Sequence, residues 1–253
     1  MNVMFGIGSK LPVTEEERLW VEEGFSRLSR MLGSSRMQNT TVVLPTDEYF
    51  PDPWDGSEHA LKTLFRRVCG YMGVVPTKVE LAIIPDSSEL LEVLPSYSIR
   101  GGGNDPAGLH FGGSNEEHPL VAVRNSLLND PLSVVATMAH ELGHVILLDG
   151  GHLQREDEDM EPLTDLVTVY LGLGVFTANA SRNFRKYQDD RREGWSMSRL
   201  GYLPETVFGY ALARFAKERG EVEPGWAKHL STNLKAWFRQ SAKWLAQESR
   251  PIE

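Results

Sequence analysis

The stretch that most constrains this chain is residues 130–151, DPLSVVATMAHELGHVILLDGG. Asn129 or Asp130 can cap a helix N-terminus, Pro131 is tolerated in the first turn, and Gly150 with Gly151 can end it. The spacing predicts a helix over about 130–148. Positions i and i+4 of a helix lie one above the other on the same face, so His140 and His144 can aim two ring nitrogens at one point. Two explanations compete: a metal site, or a chance pair of histidines on an ordinary buried helix. The neighbouring residues favour the first.

Glu141 points to the side of the histidine pair, from where its carboxylate can reach a water on a metal without taking a coordination position. Gly143 is small enough to let another segment approach. A competent zinc site needs a third protein ligand and an open fourth position. The segment EDEDMEPLTDLVTVYLGLG supplies candidates in Glu161 and Asp165, which follow a turn back of the chain. Their spacing puts both carboxylates on one face of a second helix, so one can bind metal while the other accepts a hydrogen bond from a ligand histidine. Alternatively, both are carboxylates that favour a helix N-terminus. The acidic run before them, Glu156, Asp157, Glu158 and Asp159, reads as a solvated loop with no role.

The rest of the chain reads as an α+β fold. TEEERLWVEEGFSRLSRML opens with a Thr14/Glu17 capping box and predicts a helix over about 14–32; Ser57 caps a second that stops at Gly73. TTVVLP, KVELAII, AGLHF and PLVAVRN are strand candidates. Beyond residue 130, helical patterns run over about 130–148, 162–177, 204–219 and 226–247. The expectation is one domain over 1–253, with an α/β subdomain at 1–129, a helical subdomain at 130–253 and a cleft between them.

With 41% apolar residues in 253, the chain has material for a real core, and a formal charge of −9 argues against a surface built to neutralise phosphates. Nucleic acid is therefore not an expected partner. The N-terminus lacks a signal-peptide pattern, and no stretch approaches the roughly 18 uninterrupted apolar residues of a membrane span. The one cysteine, Cys69, has no partner for a disulfide or a zinc finger. A soluble, cytoplasmic protein with no membrane partner is expected, with Cys69 a helical core residue. The last helix interleaves Lys235, Arg239 and Lys243 with Leu234, Trp237, Phe238, Trp244 and Leu245, which reads as a core-facing stripe with the cations outside.

His-Glu-x-x-His followed by a helix with Glu-x-x-x-Asp resembles the gluzincin branch of the zincin metallopeptidases, the thermolysin-like arrangement. TDLVTVYLGLGVFTANA is also similar to bacterial zincin-type proteins. The resemblance covers roughly 107–180. It implies a zincin-like fold: a small mixed sheet with an active-site helix in the first half, and a mainly helical second half. It also implies one Zn2+ per chain held by His140, His144 and Glu161, with Asp165 orienting the first histidine. Further implications are peptide or protein as substrate, an edge strand at 119–125 that pairs with it, and a downstream Tyr or His that stabilises the oxyanion. Tyr202 is the favoured donor, with Tyr187, Tyr210 and His229 as others. The metzincin pattern is absent, because Leu147 stands at its glycine, Gly150 at its third histidine, and His152 comes two residues late. Peptide deformylase is disfavoured by the surroundings of Cys69. The expected function is a zinc-dependent hydrolase that cleaves peptide bonds with Glu141 as general base; the alternative is a catalytically silent binding or regulatory module on the same fold.

Overall fold

The computed structural model describes residues 10–86, 108–111, 118–154, 157, 159–186 and 203–248. The chain starts as helix α1 (Glu15–Leu32), where the expected capping box forms: Glu17 N–H donates to Thr14 Oγ1 at 3.2 Å and Thr14 N–H to the Glu17 carboxylate at 2.6 Å. A cap of this kind contributes about 1 kcal/mol. A short helix α2 (Ser34–Asn39) follows, then α3 (Glu58–Met72), capped by Ser57 and stopped by Gly73 in the left-handed region. Cys69 is a buried residue of α3, as expected.

The segment 40–45 is not a strand. Val43 N–H donates to Gly172 O at 2.9 Å and Thr40 Oγ1 to Leu171 O at 3.1 Å, while the Arg219 guanidinium donates to the carbonyls of Met37, Gln38 and Thr40. Its backbone groups thus pair with a turn and a side chain rather than with a sheet.

Three strands form the sheet among the described residues: β1 (Glu80–Ile84), β2 (Gly108–Phe111) and β3 (Leu120–Arg124), in the order β1-β3-β2. β3 runs parallel to β1, with Ala82 opposite Ala122, and antiparallel to β2, with Leu109 opposite Ala122. The strand expected at 119–125 is present but central, and this corrects its expected place at the sheet edge. Its side chains explain the position: Leu120 to Val123 are all buried, the unbroken apolar run of a strand covered on both faces.

The second half is helical: α4 (Pro131–His144), α5 (Met160–Tyr170), α6 (Gly174–Lys186), α7 (Glu205–Glu218) and α8 (Thr232–Glu248). Asp130 caps α4 by accepting from the N–H groups of Leu132 and Ser133, and α4 continues as a π-helical turn over Val145–Asp149 before the glycines. Pro131–Leu148 has the length and mean hydropathy, 1.4, of a membrane span, but 72% of that window is buried inside the protein. Its apolar surface is used by the core. One hydrophobic cluster takes side chains from both halves, from Val21 and Phe25 of α1 and Leu64 of α3 to Leu212 of α7 and Leu245 of α8. In α8, Leu234, Phe238 and Leu245 are buried, Trp237 and Trp244 half-buried, and Arg239 and Lys243 exposed, as the expected stripe requires; Lys235, expected outside with them, is half-buried.

The single helix expected over 162–177 is two. The break falls at Leu171 to Leu173, where Gly172 takes φ +84° and an added Cβ would press into the Thr41 carbonyl oxygen. Both the φ value and the close approach require glycine here. Gly172→Ala is expected to lower unfolding stability by about 2 kcal/mol or more; an unchanged urea midpoint would contradict this.

Candidate metal centre

α4 and α5 supply the site. α4 is buried along its length from Ser133 to His144, with His140 and Glu141 each 1% exposed and His144 5%. α5 lies against it at Gly143, where a Cβ would stand 2.9 Å from Thr164 Cγ2 and 3.2 Å from the Thr164 carbonyl oxygen. This close approach brings the first turns of α5 beside both histidines.

Three atoms converge. His140 Nε2 lies 3.1 Å from His144 Nε2 and 3.1 Å from Glu161 Oε2, and His144 Nε2 lies 3.4 Å from the same carboxylate oxygen. His140, His144 and Glu161 form a cluster that could hold a metal ion. Glu161 is the solvent edge of the cluster, its side chain 35% exposed, while the histidines face the interior.

Asp165, one turn after Glu161, stands behind His140. Its Oδ1 accepts from His140 Nδ1–H at 2.9 Å, and its Oδ2 accepts from the Leu203 backbone N–H at 2.8 Å. The ring of His140 is thereby fixed with Nδ1 protonated and Nε2 turned to the cluster. Thr168 Oγ1 donates to the Asp165 carbonyl at 2.7 Å, which steadies the same turn.

Three contributors were not foreseen in the sequence. Thr164 Oγ1 lies 3.2 Å from His144 Nδ1. Leu203 supplies its backbone N–H to Asp165. Arg27 of α1 forms an ion pair with Asp159 at the start of α5, so the acidic run assigned no role contributes one anchoring carboxylate. Thr164 shares a helix face with Glu161 and so carried a spacing signal; Arg27 and Leu203 are too distant in sequence to carry any.

Of the candidate oxyanion donors, Tyr202 and Tyr187 lie outside the described residues. Leu203, the chain neighbour of Tyr202, is the residue held against Asp165. Tyr210 Oη donates to Glu22 at 2.6 Å; burial and the Glu22 charge push its pKa up. That hydroxyl is committed to tying α7 to α1. His229 ends the short 3-10 segment Gly225–His229, where its carbonyl accepts from Asn179.

No family model, curated protein or solved structure matches this chain.

The electrostatics of the cluster follow from its geometry. Burial works against a charged His140, but the carboxylates of Asp165 and Glu161 outweigh it and hold the pKa well above the usual 6.5. Burial likewise opposes charge on Glu161, and the rings of His144 and His140 pull it below the usual carboxylate range. In metal-free protein the stability from the raised His140 is complete below pH 6.5 and lost as pH rises through the folded value. A cation needs that ring deprotonated and so has the opposite dependence. The rise in Tm on adding a divalent cation is therefore expected to be larger at about pH 8 than at about pH 6. Scanning calorimetry with and without metal checks this, and a larger rise at the lower pH would contradict it.

Proposed function

We propose that this chain is a zincin-type, zinc-dependent peptidase in which His140, His144 and Glu161 hold one Zn2+ and Glu141 is the general base. The observation that carries this is the convergence of the two Nε2 atoms and the Glu161 oxygen at 3.1–3.4 Å. A tetrahedron built on zinc bonds of about 2.0–2.1 Å has edges of about 3.3 Å. The donor set of two imidazoles and a carboxylate suits zinc. Three ligands among the described residues, with the carboxylate at the solvent edge, fit a catalytic centre with a free position better than a closed four-ligand structural one.

When bound, the ion supplies a Lewis acid that acidifies water and polarises a substrate carbonyl. Asp165 keeps His140 in the tautomer that presents Nε2. Glu141 follows His140 on α4 and is buried, so its carboxylate is held in a water-poor setting. It takes the proton of the attacking water and returns it to the leaving amine. Tyr202, favoured by the family resemblance, is the proposed donor to the oxyanion. β3 is paired along both edges, so an extended peptide substrate would add to an outer strand of the sheet and not to β3.

Incubation with a peptide library and mass-spectrometric readout of cleaved bonds tests the activity. Cleavage is expected to stop on chelation and to fall by roughly 10²–10⁴-fold in Glu141→Gln with metal retained. Tyr202→Phe is expected to lose roughly 10²–10³-fold with fold and metal intact. A fully active Glu141→Gln protein would overturn the mechanism.

A further inference from the structure

Asp165 accounts for the orientation of one histidine, and the second needs its own partner. His144 is 5% exposed, so a ring nitrogen turned away from the cluster cannot rely on solvent for a hydrogen bond. The atom opposite its Nδ1 is Thr164 Oγ1 at 3.2 Å, and Thr164 is completely buried. The same hydroxyl lies 2.8 Å from the Met160 carbonyl, one helical turn back. The Thr164 hydroxyl donates its single proton to that carbonyl, which leaves its lone pairs to face His144. With that proton directed to Met160, His144 donates to Thr164 through Nδ1–H, which leaves Nε2 as the lone-pair atom aimed at His140 Nε2 and Glu161.

We propose that Thr164 is a positioning residue for the metal centre that fixes the tautomer and ring plane of His144, as Asp165 does for His140. This rests on the metal reading of the cluster. One turn and a half of α5 then carries a ligand, Glu161, and the hydrogen-bond partners of both histidines. The Thr164 methyl group also packs at the Gly143 crossing, where a Cβ would stand 2.9 Å from it, so the two ends of this side chain do different work. The methyl fills space at the Gly143 crossing, and the hydroxyl sets how His144 faces the metal.

Two variants separate these roles. Thr164→Val keeps the methyl and the shape but removes the acceptor; Thr164→Ser keeps the hydroxyl and removes the methyl. Zinc affinity is read by competition with a chromophoric chelator, and the His144 tautomer by nitrogen–proton correlation spectra of the zinc-loaded proteins. Thr164→Val is expected to weaken zinc binding by roughly 10- to 100-fold and to lose the slowly exchanging Nδ1–H signal of His144. Thr164→Ser is expected to stay within about 3-fold of wild type and to keep the signal. Wild-type affinity and an intact signal in Thr164→Val would overturn the proposal while leaving the metal site standing. Equal losses in both variants would also overturn it, because the methyl contact would then be the contribution. A wild-type protein that takes up no zinc would overturn the proposal and the metal reading together.

Discussion

The centre depends on how closely α5 lies on α4. At the crossing the chain has Gly143, and Thr164 and Val167 occupy the space where a side chain would stand, with Val167 Cγ1 3.1 Å from the added Cβ position. A helix pair held further apart would leave Glu161 and Asp165 beyond reach of the histidines. Other contacts support the approach: Gly24 of α1 lets Leu166 of α5 press against the α1 backbone, and Arg27 holds Asp159 at the entry to α5. The N-terminal helix, which contributes no candidate ligand, thus braces the segment that does.

Ionisable groups in the interior of a protein are costly unless each is paired. His140 has Asp165 on one nitrogen and the cluster on the other, and Asp165 has a second partner in Leu203 N–H. A dication at the convergence point would be balanced by the charges of Glu161 and Asp165. Without one, the site depends on a proton held by His140 between two carboxylates, which is why the raised pKa and the proposed metal affinity have one cause.

Much of the site was legible because it is local. His140 and His144 are one turn apart, as are Glu161 and Asp165, and helix periodicity alone puts each pair on one face. The caps at Thr14, Ser57 and Asp130 were legible for the same reason. Where the sequence misled, the missing information was tertiary. The Val-Val run at 42–43 has the composition of a strand, but Val43 pairs with the Gly172 turn and the Thr40 carbonyl just before the run pairs with Arg219, each more than a hundred residues away. The order of strands is likewise set by what flanks β3, so its central place could not be read from PLVAVRN. Gly172 was a visible break signal within an otherwise apolar helical pattern. Thr164 had helical spacing to Glu161, but its value comes from facing His144 across the helix crossing.

The measurement that bears most directly on the central claim is zinc content per chain, by elemental mass spectrometry on protein purified without added metal. Wild type should be compared with Glu161→Ala, with circular dichroism confirming that both are folded. About one zinc per wild-type chain and much less in the folded variant is expected of a His140, His144, Glu161 centre. No zinc in the wild type, even after dialysis against it, would contradict the claim and leave the two histidines as residues of a buried, metal-free helix.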